Sequence, residues 1–191
     1  MNTTKQLARK NRREDLSFFE PEPRTVKPVL QMNKELNDYA VESSAVSDLS
    51  AAEQTRCLCL IVEGGAVDAE TAKRNFPQSV TISLARKDGE VVGVASIKPL
   101  RERYAKGIAM KAKFPFDPKT PELGYVVVDD AHRGKRLSSR MVTVLAKDGG
   151  ALFATTSDPK MKSALNGAGF RQCGFEWQGC RGDLISLWIK C

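Results

Sequence analysis

The 191-residue chain has one histidine, His132, and its five cysteines (Cys57, Cys59, Cys173, Cys180 and Cys191) are odd in number and show no CxxC spacing. That scarcity argues against a Cys/His zinc site and a disulfide framework, so no metal is expected and the thiols read as reduced. Any Ser–His or Cys–His catalytic pair would have to use His132. It sits beside Arg133 in a polar segment and reads as a loop residue near an anion rather than as a base. No apolar run approaches the roughly 20 residues that span a bilayer, and no apolar stretch follows the basic N-terminus. No membrane association is expected, and the chain reads as cytoplasmic.

Neither the 41% hydrophobic nor the 28% charged content describes a disordered or fibrous chain, and the length suits one well-buried core. The formal net charge of +7 favours anionic partners: a nucleotide cofactor, nucleic acid or an acidic surface. Residues 1–27 carry Lys5, Arg9, Lys10, Arg12 and Arg13, then Pro21 and Pro23, with few apolar residues. They read as a basic arm and extended linker, leaving 28–191 as a single domain.

Along that domain, the apolar spacing from Val29 through Met32, Leu36, Tyr39 and Ala40 is helical. A second helix is expected from Ser50, which stands at capping-box distance from Glu53, to Gly64–Gly65, although Cys57–Val62 within it would also suit a strand. A short helix follows over 68–75. Val80–Arg86 and Val91–Ile97, joined through Asp88–Gly89, read as a β-hairpin. Residues 98–121 hold seven cations against Glu102 and Asp117, with Phe114 and Phe116 between prolines. This stretch reads as a long loop, and 98–119 is a candidate for gripping an acceptor, a nucleic acid or an acidic partner. A strand over 151–156, a helix capped by Asp158 with Pro159 at its first position, and strands at 171–177 and 184–189 complete the order.

The centre of the chain is Glu122–Arg140. A β-branched run, Tyr125 to Val128, passes through a polar bend into Leu137, Met141, Val142, Val144 and Leu145 at helical spacing. At a strand–loop–helix junction the first helical N–H groups are unpaired and the helix dipole adds positive charge, so a phosphate is favoured there. Arg133, Lys135 and Arg136 add three cations at that point.

These residues resemble the cofactor-binding motif of the GCN5-related N-acetyltransferases (GNAT), in which a strand of the type Val-x-x-x-x-Arg leads into Arg/Gln-x-x-Gly-x-Gly/Ala. Val128 stands at the valine and Arg133-Gly134-Lys135-Arg136-Leu137-Ser138 at the loop, with Arg136 in place of the first family glycine and Ser138 in place of the final Gly/Ala. The resemblance covers roughly 80–190 and is strongest over 122–170. It implies an α/β, GNAT-like fold with a mixed central sheet of about six to seven strands flanked by helices. It also implies acetyl-CoA as co-substrate, held by Val126, Val127, Val128, Arg133, Gly134, Lys135, Arg136, Leu137 and Ser138, and direct acetyl transfer to an amine of a small molecule or protein lysine.

With a lysine-like pKa near 10.4, roughly one acceptor amine in two thousand is neutral at pH 7, so a base is needed. Glu122 lies about where some family members keep a catalytic glutamate. Leu165 stands where the family often has a tyrosine acid, and Asp158 where many members have asparagine. With Arg136, Ser138 and Leu165 all departing from the pattern, an alternative reading is a catalytically inactive GNAT-fold module. Its arm (1–27) and basic segment (98–119) would bind nucleic acid or a protein.

Overall fold

A computed structural model describes residues 38–65, 67–147 and 150–191. The expected arm and the start of the helix expected from Val29 lie outside them. Among the described residues are seven strands and five α-helices. The hairpin that starts the domain's core is local in origin. Asp88 and Gly89 take φ +51° and +85°, the two left-handed positions of a tight two-residue turn. They bring β2 (Thr81–Lys87) and β3 (Glu90–Ile97) into antiparallel register.

On either side of that hairpin β1 (Ala40–Ser44) pairs with β2 and β4 (Leu123–Val128) with β3, giving the antiparallel order β1-β2-β3-β4. A second antiparallel sheet, β5-β7-β6, is built from β5 (Leu152–Thr156), β6 (Arg171–Gln178) and β7 (Leu184–Lys190). The two sheets meet through one parallel bridge, Glu122 to Phe153, fixed by the Phe153 amide donating to the Pro121 carbonyl at 3.0 Å. This is the α/β arrangement expected for the fold, with the parallel element reduced to that bridge.

Helices cover both faces. α1 (Ala51–Glu63) begins at the expected capping box: the Glu53 amide donates to Ser50 Oγ at 3.3 Å, and the Ser50 amide donates to the Glu53 carboxylate at 2.9 Å. The Cys57–Val62 run is therefore helical. With α2 (Ala69–Asn75), α1 buries Cys57, Leu60 and Ile61 against Ile82, Leu84 and Val94. On the opposite face α4 (Leu137–Lys147) and α5 (Pro159–Gly167) place Met141, Leu145 and Leu165 in a core shared with Phe170 and Trp188.

Two expectations are corrected. The 98–121 segment is not a loop: Glu102–Ala112 forms α3, which buries Ala105, Ile108 and Ala112 against Phe153 and Leu187. Its Ala, Lys and Arg residues are strong helix formers, and its apolar stripe is narrow because it is largely alanine. Nor does a helix run through Ala40, which starts β1. Tertiary pairing decides here, with Val41 opposite Ala85 and the Ser83 hydroxyl donating to the Glu42 carbonyl at 3.0 Å. Among the described residues no helix is long and apolar enough to cross a membrane.

Candidate active site

Beyond the Glu122–Phe153 bridge β4 and β5 separate, and a cleft of about 900 Å³ opens between them. The separation has a local cause. Val94 faces Val127 and Ser96 faces Gly124, so Tyr125 and Val126 together oppose one residue of β3. Tyr125 takes φ +51° at this bulge, which bends the strand away from its neighbour. Because the Asp129 amide donates to the Val92 carbonyl, the antiparallel alternation turns the backbone groups of Val128 and Val126 toward the cleft.

The bend after β4 leads to the other end of the cleft. Asp129 caps the turn Asp130–His132 by accepting from the Ala131 amide at 3.0 Å and also pairs with Arg56. These donors hold its carboxyl below the usual range, the Ala131 amide first and Arg56 next. The His132 ring contacts Tyr39, with 3.0 Å between Nδ1 and the phenol oxygen. Gly134 takes φ +81° and Arg136 φ +55°, so Arg136 adopts the left-handed conformation that a glycine enters freely.

The first helical bond of α4 runs from the Arg140 amide to the Arg136 carbonyl at 3.1 Å. The amides of Leu137, Ser138 and Ser139 therefore fall in the unpaired first turn, and all three residues line the cleft. Of the residues expected to hold a cofactor, Val126, Val127, Val128, Arg133, Gly134, Arg136, Leu137 and Ser138 lie on this surface. Lys135, half-buried beside them, does not. Leu165, fully buried, contributes apolar wall where a tyrosine was a family expectation.

Glu122 lies at the closed end, 6% exposed. One carboxylate oxygen accepts from Lys98 Nζ at 2.8 Å, and the other is paired with the Arg101 guanidinium. Lys98 also rests over the Tyr125 ring, 4.6 Å from its centroid, and Arg101 over Tyr104 at 4.4 Å. Tyr104 lines the cleft from α3; burial, then the Glu122 charge, raises its phenol pKa and keeps it protonated.

Sequence reasoning missed Lys98, Arg101 and Tyr104 as site residues. Lys98 faces Glu122 only through the β3–β4 register, its amide donating to the Glu122 carbonyl at 2.8 Å. Their separation of 24 positions in sequence hid that pairing. A cation and an aromatic three apart at the start of a basic helix, Arg101 at its N-cap and Tyr104 in its first turn, was the available signal.

The model of the acetyltransferase (GNAT) family matches residues 48–165. Among solved structures, the chain is similar to an acyl-CoA N-acyltransferase from Pseudomonas aeruginosa at 12% identity and a TM-score of 0.59, covering 80% of this chain and 99% of that one. It is also similar to a ribosomal-protein-alanine N-acetyltransferase from Brucella melitensis, at 18% identity and TM-score 0.54 over 79% and 98% of the two chains. A third is a GNAT family acetyltransferase from Elizabethkingia anophelis with acetyl-CoA bound, at 12%, 0.53, and 81% and 98%. No curated protein sequence matches significantly. At these identities the structural likeness establishes the fold, and the family match spans well over half of the chain. The chain belongs to the GNAT family of acetyltransferases.

Proposed function

We propose that this protein is an acetyl-CoA-dependent N-acetyltransferase that moves acetyl directly to an amine, without a covalent enzyme intermediate. The observation that carries the reading is the meeting, in one cleft, of an open strand edge with the unpaired first turn of an eleven-residue helix flanked by arginines. The residues fit the co-substrate. The amides of Leu137 and Ser138, with Gly134 between the cations Arg133, Lys135 and Arg136, would hold a pyrophosphate. The edge of Val126, Val127 and Val128 would pair with the pantetheine amides as an added strand.

Acetyl-CoA supplies the acetyl group as a thioester. Glu122 takes the proton of the acceptor amine, directly or through one water, so that the neutral form attacks. Lys98 and Arg101 fix its carboxylate while it does so. The Tyr104 phenol, kept protonated by burial, is the available donor to the departing sulfur in place of the tyrosine missing at Leu165. The amine belongs to a small molecule or a protein lysine. The basic residues of 1–27 and 98–119 would draw in an anionic acceptor, nucleic acid or acidic protein, in the cytoplasm.

Initial-rate kinetics with varied amine and acetyl-CoA test the mechanism. Direct transfer gives intersecting double-reciprocal lines, and parallel lines would refute it. Glu122→Gln should slow the reaction most near neutral pH, whereas an unchanged pH–rate profile removes Glu122 as the base. Tyr104→Phe should lower kcat by roughly 10²-fold if it donates the proton.

A further inference from the structure

The closed end of the cleft has an unbalanced charge. One carboxylate, Glu122, meets two cations, Lys98 and Arg101, leaving a residual charge of +1. Among the described residues at that end, Tyr104 and Tyr125 are phenols whose pKa values are raised, chiefly by burial, so they add no charge. The side chains of Lys98, Glu122 and Arg101 are 12%, 7% and 33% exposed, so the charge is poorly screened at its base and accessible at the guanidinium.

The outer surface of α3 adds charge of the same sign. Arg103, Lys106 and Lys111 are exposed along it, against Glu102. These cations share the helix that brings Tyr104 to the cleft, and they add to the positive field around it. A polycationic amine is repelled by that field.

From this charge pattern we infer that the acceptor is an amine carrying its own carboxylate, an amino-acid-like substrate whose amine faces Glu122 and whose carboxylate faces Arg101. This deepens, and rests on, the reading of the cleft as an acetyltransferase site. The charges match at the step that matters. Once the amine is neutral, such an acceptor carries a net −1 against the site's +1, and the positive surroundings favour loss of the ammonium proton. Arg101 is not itself a lining residue, but its guanidinium touches two that are, Glu122 and Tyr104, and is 33% exposed beside them. Its fork of donors, only partly used by Glu122, suits a second carboxylate at that rim.

The test is isothermal titration of the full chain saturated with CoA, using matched probes: alanine against ethylamine, phenylalanine against phenethylamine, and lysine against pentane-1,5-diamine. The carboxylate-bearing member of at least one pair should bind about tenfold or more tightly than its partner. Arg101→Gln should abolish that preference, and Arg101→Lys, which keeps the charge, should retain part of it. Equal binding within every pair, preference for the decarboxylated members, or no binding by any carboxylate probe would overturn the inference. CoA binding, measured in the same preparation, separates the two levels. Its presence with no carboxylate preference refutes only the substrate class, and its absence refutes the cofactor reading and this inference with it.

Discussion

Replacing Glu122 by glutamine disturbs the most buried charge in the cleft, and the outcome can be worked out from its surroundings. The Glu122 and Lys98 side chains are 7% and 12% exposed and lie 2.8 Å apart. Removing one partner of a buried pair typically costs about 3–5 kcal/mol, because the other charge is left without compensation. Three features reduce that here: glutamine keeps an oxygen for Lys98, the Tyr125 ring still faces the ammonium, and Arg101 can turn toward solvent. A cost of about 2–3 kcal/mol is expected. For a chain of this size that is a fall in Tm of roughly 4–12 °C by calorimetry. The double variant Lys98→Met/Glu122→Gln removes the uncompensated ammonium and should recover at least half of the loss. A single variant as stable as the parent, or a double variant with no recovery, would show that the ion pair does not hold this end of the cleft.

Two other outcomes follow from the backbone and the core. Arg136→Gly relieves a left-handed residue worth roughly 1–2 kcal/mol, less about 0.5–1 kcal/mol for glycine's greater chain entropy, so Tm should rise by about 2 °C at the middle of that range and should not fall. Acetyl-CoA should bind no more tightly, since a cation is lost; tighter binding would mean that the arginine obstructs the loop. Burial in the α1 core pushes the Cys57 thiol up to about 11 from an ordinary 9.0. Its neutral form therefore contributes stability that is complete below pH 9 and lost as the pH rises through 11. The gap in urea midpoint between the parent and Cys57→Ala should narrow across that window, and a constant gap would contradict the assignment.

Local signals made most of the fold legible. The Ser50–Glu53 capping box, the Asp88–Gly89 turn and the Asp158–Pro159 helix start each encode their element within a few residues, and each forms as expected. What was not legible depends on distant partners. β1 is a polar strand held by β2, and α3 is a basic helix whose alanine stripe shows its purpose only against Phe153. The site divides in the same way. The basic bend Arg133–Ser138 is contiguous in sequence and could be read directly. The cluster of Lys98, Arg101, Tyr104 and Glu122 is assembled by strand register across 24 residues, so only Glu122 stood out.

The central claim, that the cleft between β4 and β5 holds acetyl-CoA, is tested most directly by isothermal titration of the protein with acetyl-CoA, with desulfo-CoA and ADP as controls. Binding in the micromolar range, about −8 kcal/mol, with desulfo-CoA retaining most of the affinity and ADP only part of it, is the predicted result. No heat at millimolar acetyl-CoA would contradict the account and leave a GNAT-fold binding module in its place.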